Sequence, residues 1–146
     1  MYTRIVLAYD GSDHAQNALR DAVGLGNAVG AELHLCHTPQ IDTPPIVIGA
    51  YGVILEQPPT REQIEEAGGY IADKAKAEAE ALGGAFASVR LGRGDPVRNV
   101  LDAADEIGAD LIVMGRRGLG AIRSLALGSI SQGVTHHAKC AVLTVL

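Results

Sequence analysis

Five short runs rich in branched apolar residues recur along the chain, at Ile5 to Tyr9, Glu32 to His37, Phe86 to Leu91, Leu111 to Met114 and Ala141 to Leu146. Most are near-continuous in apolar character, the pattern of strands covered on both faces; alternation would mark a face that meets water. Helical periodicities fill the gaps between them, and strict alternation of strand and helix with short loops gives parallel pairing through right-handed crossovers. The expected fold is one α/β domain over residues 1–146, a doubly wound, Rossmann-like, five-stranded parallel sheet with helices on both faces.

The helices carry their own start and stop signals. The first begins near Ser12, with Ser12 or Asp13 as N-cap, and sets Ala15, Ala18, Leu19, Ala22, Val23 and Leu25 on one stripe. The second opens with a capping-box pair, Thr60 and Gln63, and is expected to turn Ile64, Ala67, Ile71, Ala75, Ala79 and Leu82 toward the core. In the third, Asp95 caps, Pro96 fits the first turn, Val97, Val100, Leu101, Ala104 and Ile107 form the apolar face, and Gly108 stops it. A fourth starts near Ser129 with Ile130 and Val134.

One connection is too long for this economy. Thr38 to Pro59 holds five of the six prolines and little helical pattern, so it reads as a functional or mobile loop. Its apolar centre, Ile46 to Leu55, could serve as a lid, as a partner-facing surface or as packing over the sheet edge. Ten residues broken by two glycines fall well short of the roughly 20 that span a bilayer, so membrane insertion is not expected. No signal-peptide pattern precedes the first strand, and a cytoplasmic protein is expected. Cys36 and Cys140 lie in apolar strand surroundings and read as small buried hydrophobes, without a disulfide framework.

A net charge of −5 argues against broad nucleic-acid binding. The charge is uneven, however: no Asp or Glu occurs from Leu111 to Leu146, where Arg116, Arg117, Arg123 and Lys139 stand. Three arginines within eight residues of a glycine-rich loop favour a local anion site over the alternative, chance spacing of surface charge. In open α/β sheets ligands bind beyond the carboxyl ends of the strands, where strand order reverses. Two loops suit that position. Tyr9-Asp10-Gly11-Ser12 puts a carboxylate on a tight turn before a helix, and Gly115-Arg116-Arg117-Gly118-Leu119-Gly120 runs on to Gly128-Ser129. Phosphate binding needs closely approachable N–H groups; glycine permits that approach and positive φ, and a helix start at Ser129 adds partial positive charge. The alternative is that these glycines only turn the chain. There is no Gly-Lys-Ser/Thr and no complete G-x-G-x-x-G after a strand, which points to a mononucleotide.

Gly115-x2-Gly118-x9-Gly128-Ser129, following Leu111-Ile112-Val113-Met114, resembles the nucleotide-binding signature of the ATP-binding branch of the universal stress protein family. The opening strand closing in Asp10-Gly11-Ser12 and the step Gly94-Asp95-Pro96 are similar to that family in the same order, so the likeness covers the chain. It implies a sheet ordered 3-2-1-4-5, a homodimer pairing through the last strand (141–146), and ATP held between the first and fourth strands. It also implies that Ala8, Tyr9 and Asp10 border the nucleoside and that Leu35 meets the adenine through its backbone. Met114, Gly115, Arg117 and Gly118 would wrap ribose and phosphates, with Arg116 beside them, and Gly128, Ser129, Ile130 and Ser131 would bind the phosphate tail. Asp10 would lie near a divalent ion on the triphosphate, where oxygen ligands suit Mg or Mn. The family's common pattern has small or polar residues or His where Arg116 and Arg117 stand.

His136 and His137 suit the C-terminal end of the last helix dipole and face different directions, so no metal pair is assigned to them. His34 and His37, three apart on a strand, point to opposite faces. Ser12, Ser129 and Ser131 have no identifiable His/acid partnership for nucleophilic catalysis. The resulting expectation is a nucleotide-responsive regulatory protein of the stress response, read by an unidentified protein partner, with little or no hydrolysis. The alternatives are a weak ATPase or nucleotidyl-transferring enzyme, for which Asp10 is the strong water-positioning candidate, and a nucleotide-free interaction protein.

Overall fold

A computed structural model describes residues 1–119 and 127–146; Arg123, one of the arginines expected near the site, lies outside the described residues, as does Gly120. The chain runs β1 (Arg4–Ala8), α1 (Asp13–Val29), β2 (Glu32–His37), β3 (Ile46–Ile48), β4 (Val53–Leu55), α2 (Arg61–Ala81), β5 (Phe86–Leu91), α3 (Pro96–Ile107), β6 (Leu111–Gly115), α4 (Ser129–His137) and β7 (Ala141–Val145). The main sheet is ordered β5-β2-β1-β6-β7 with every pairing parallel. Counting its five strands alone, this is the expected order 3-2-1-4-5.

The order dictates where the helices lie. From β1 the chain steps outward through α1 to β2 and through α2 to β5, then returns across the sheet through α3 to β6 and steps on through α4 to β7. Right-handed crossovers therefore place α1 and α2 on one face and α3 and α4 on the other. Two core clusters match those faces. Ile5, Leu7, Leu33, Leu35, Leu111 and Val113 meet Ala18, Leu19, Ala22 and Val23 of α1 and Ala72, Ala75 and Ala79 of α2. On the opposite face Val6, Cys36, Ile112 and Met114 meet Val100, Ala103 and Ala104 of α3 and Val134 of α4. Burial pushes the Cys36 thiol up to about 11, so it is a core filler, protonated at neutral pH.

The caps follow the sequence. The Ser12 side chain accepts from the Ala15 N–H at 3.2 Å, Thr60 and Gln63 close a full capping box, and Asp95 accepts from the Val97 N–H at 3.0 Å. Gly30 and Gly108 end α1 and α3 in the left-handed region at φ 71° and 65°.

Two expectations change. The α2 stripe is shifted: Ile64, Gly68, Ala72, Ala75 and Ala79 are buried, Ile71 packs on the core while bordering a cleft, Ala67 is exposed at that cleft, and Leu82 is 43% exposed beyond the helix. The cause is Gly68, whose missing side chain lets α2 settle on β5; a Cβ there would stand 3.0 Å from Leu91 Cδ2. The 38–59 connection is also not wholly irregular. Ile46–Ile48 and Val53–Leu55 form an antiparallel hairpin, with Ile46 opposite Leu55 and Ile48 opposite Val53. Gly49 and Gly52 turn it at φ 79° and 65°. Two branched runs around a glycine-bounded loop are a hairpin signal that the proline count obscured. Among the described residues no helix is long and apolar enough to cross a membrane.

Candidate functional site

The sheet's direction of winding reverses between β1 and β6. Beyond their carboxyl ends the two connections diverge to opposite faces and leave a cleft of about 440 Å³. That volume lies within the range of small-ligand sites.

The first wall comes from β1 and its turn. Ala8, Tyr9 and Asp10 all line the cleft. Gly11, at φ 81°, lets the chain reverse directly into α1. Asp10 shapes this turn: its Oδ1 accepts the Ser12 N–H at 2.9 Å and its Oδ2 accepts the Leu119 N–H at 3.2 Å, tying the β1 loop to the β6 loop. The Tyr9 ring is buried and its hydroxyl has no hydrogen-bond partner among the described residues. Burial, then the nearby Glu78 and Asp10 carboxylates, raise its pKa and keep it protonated.

The second wall comes from β6 and the loop behind it. Met114, Gly115, Arg117 and Gly118 line the cleft, and across from them stand Gly128, Ser129, Ile130 and Ser131 at the start of α4. The Arg116 backbone joins these halves. Its carbonyl accepts the Gly128 N–H at 2.9 Å and the Ser131 hydroxyl at 2.7 Å, while its own N–H donates to the Val145 carbonyl at 2.7 Å. Ser131, 1% exposed, is thereby committed to closing the loop. Arg117 has a buried Nε without a partner among the described residues, and Arg116 is not among the lining residues.

The glycines act here through close approach, and none of Gly115, Gly118 and Gly128 takes a positive φ. A Cβ on Gly115 would stand 2.9 Å from the Ala15 nitrogen, one on Gly118 would stand 2.5 Å from Asp10 Oδ2, and one on Gly128 would stand 3.3 Å from the Arg116 carbonyl. Each absent side chain lets two chain segments meet. The meeting brings the first turn of α4 to the cleft with Gly128 as N-cap and no side-chain cap, whereas α1, α2 and α3 are each capped by a side chain. The leading N–H groups of α4 and the positive end of its dipole thus border the cleft.

Leu35 is not among the lining residues. It is an interior β2 residue, 1% exposed, packed in the α1–α2 core. The strand runs two residues further, and His37, Thr38, Pro39 and Gln40 line the cleft in its place. Burial lowers the His37 pKa, against the opposing pull of its hydrogen bond and of Asp10, so the ring is neutral at pH 7. Its Nδ1 lies 2.7 Å from the Tyr9 carbonyl, which can only accept, so Nδ1 carries the proton and Nε2 is an acceptor. Ala67 and Ile71 of α2 with Pro96 and Val100 of α3 supply apolar lining. Val100 is at the same time a core residue and Ile71 packs on the α1–α2 core, as their helical stripes imply, whereas Ala67 is exposed. His136 and His137 sit in the last turn of α4, where His137 Nδ1 bonds the Gly133 carbonyl at 2.9 Å.

A doubly wound parallel sheet with a cleft at its reversal point, faced by an uncapped helix start, defines an α/β protein of the Rossmann-like class. The comparisons make the class specific. The profile of the universal stress protein family matches residues 1–145. A universal stress protein of Thermus aquaticus, encoded beside a QAH/OAS sulfhydrylase, is 42% identical over 146 residues, covering 99% of each chain. Among solved structures, a universal stress protein in complex with cAMP is 26% identical at a TM-score of 0.74, covering 99% of this chain and 97% of that one. UspA from Lactobacillus plantarum, 23% identical, shares the fold at a TM-score of 0.76 over 99% of this chain and 98% of its own. The chain belongs to the universal stress protein family.

Proposed function

We propose that the cleft binds an adenine nucleotide, ATP foremost, and that the chain works as a nucleotide-responsive regulatory protein of the stress response with little or no hydrolysis. The observation that carries this reading is the α4 start, the one described helix without a side-chain cap, opening onto the cleft beside Gly118 and Arg117. Such an end favours phosphate oxygens. The remainder of the cleft is suited to a nucleoside: Ile71, Val100 and Met114 give apolar contact, and the His37 and Gln40 side chains supply polar groups. A structural neighbour described in complex with cAMP supports the adenine class.

The sole carboxylate among the described lining residues is Asp10, and both its oxygens already accept backbone N–H groups. It is therefore better placed to hold the turn than to activate water, and phosphoryl transfer needs a positioned nucleophile as well as charge stabilisation. No group of three His, Cys, Asp or Glu that could hold an ion occurs among the described residues. A Mg or Mn ion brought in on the phosphates still fits, because such ions keep several waters and need one carboxylate, with Asp10 as that ligand. Bound there, it would neutralise phosphate charge. The same reading pairs two copies along β7, an edge strand whose Leu143 is 38% exposed.

The test is direct. Acid-denatured protein should release an adenine nucleotide into the supernatant, and calorimetry of stripped protein should show binding of ATP in preference to GTP. Failure to bind any adenine nucleotide would sink the reading. ATP cleavage in a single turnover faster than nucleotide release would replace the switch by an ATPase.

A further inference from the structure

The hairpin β3–β4 stands apart from both core clusters, and neither of its strands packs extensively on any other element. Its ten residues, Ile46 to Leu55, contain no charged side chain. By the cross-strand register Ile46, Ile48, Val53 and Leu55 share one face, and Val47 and Ile54 share the other. Both faces are thus apolar, with Val47 63%, Ile54 65% and Tyr51 99% exposed. A two-stranded hairpin is marginally stable by itself in water, and exposed apolar patches of this size mark interaction sites. This one is nevertheless built as a stiff arm. Pro44-Pro45 precede it, Pro58-Pro59 follow it, and the Thr43 hydroxyl clamps the stem by donating to the Gln57 carbonyl at 2.8 Å.

We propose that the arm is a docking surface for a second copy of this chain, with the two arms packing on one another about a twofold axis. Area is the first ground. The exposed surface of the seven large apolar residues on the arm amounts to roughly 800 Å² over both faces together, so two interdigitating arms that bury both faces reach one partner's share of a standard protein–protein interface. The second ground is self-complementarity. A twofold axis presents the same patch to itself, which an uncharged apolar surface satisfies without any opposing pattern, whereas a charged patch would meet its own sign. The third is the pair of strand edges, which among the described residues have no further strand beside them and can accept one from an identical arm. The proposal is independent of what the cleft binds and distinct from pairing along β7.

Sedimentation equilibrium of the full chain tests it, without nucleotide, on wild type, Ile54→Lys and Leu143→Lys. Wild type should sediment at a multiple of 15.2 kDa. Ile54→Lys should halve that mass at the same loading, weakening association at least about tenfold as a lysine is forced into an apolar interface. Leu143→Lys should remain at least dimeric. Amide exchange over residues 46–55 of wild type gives a second readout: protection should rise with protein concentration across the association. The proposal fails if wild type is monomeric, if Ile54→Lys leaves the mass unchanged, or if Leu143→Lys alone abolishes association. It fails equally if arm protection does not vary with concentration, which would mean that the arm folds back on its own chain. Thermal unfolding of Ile54→Lys like that of wild type excludes a trivial loss of the core.

Discussion

Gly118→Ala is the smallest change that challenges the cleft, and the structure sets its magnitude. Gly118 does not have positive φ, so alanine carries no backbone penalty there. The added Cβ would stand 2.5 Å from Asp10 Oδ2, against 3.4 Å for ordinary contact, so the carboxylate must retreat by about 0.9 Å. The bond it accepts from the Leu119 N–H, already 3.2 Å long, does not survive that retreat. Losing a hydrogen bond to a charged group costs about 1.5 kcal/mol at the low end of its range, appropriate to a partly exposed site. Because that bond joins the two walls, ATP affinity should also fall by about tenfold, or 1.4 kcal/mol. The decisive measurement is a double-mutant cycle by urea unfolding and calorimetry. In an Asp10→Ala background the obstacle is gone, so Gly118→Ala should then cost no more than about 0.5 kcal/mol, leaving a coupling of roughly 1 kcal/mol. Strictly additive costs, or a Gly118→Ala protein as stable as wild type, would refute the tie between the two loops.

Two further predictions concern stability. The His37 pKa is depressed by burial, so the folded state holds this ring neutral while the unfolded chain protonates it near 6.5. Its contribution is complete above pH 6.5 and is lost as pH falls from there toward the folded pKa; urea midpoints should drop over that window in wild type and drop less in His37→Asn. Equal slopes would show that His37 is not the titrating group. Gly24 lies mid-helix in α1 with nothing within 4 Å of a built Cβ, so Gly24→Ala should stabilise by about 0.5–1 kcal/mol in the same assay, and a loss would mean that the α1 surface packs against something.

Much of the fold could be read from the sequence because its signals are local. Ser12, Thr60 with Gln63, and Asp95 occupy the cap positions their side chains suit, and doubly covered strands read as unbroken apolar runs. What escaped depends on tertiary position. Ala67 and Ile71 satisfy a helical stripe but overhang the cleft, since α2 rotates about the contact allowed by Gly68. His37 ends an apolar strand and looks like a core residue; only the place where β2 stops relative to β1 makes it a cleft wall. Leu35 enters only through resemblance, as a backbone contact; its side chain packs in the core, and the cleft wall at this strand is formed by the residues that follow it.

The signature glycines show how a motif can be read at two levels. From sequence alone, Gly115, Gly118 and Gly128 imply bare backbone offered to a phosphate. In the fold each one first resolves a contact within the protein, against α1, against Asp10 and against the Arg116 turn. A side chain at any of them would displace a wall before it met a ligand. The spacing is therefore evidence for the shape of the cleft, and the ligand reading rests on what that shape leaves over. What it leaves is the start of α4, held in place by Ser131 and Gly128 on the Arg116 carbonyl and given no side-chain cap of its own. A helix end bordering a cleft in this way has N–H groups that need acceptors, and an anionic tail supplies them more completely than water does. For that reason substitutions at the glycines should perturb stability and affinity together.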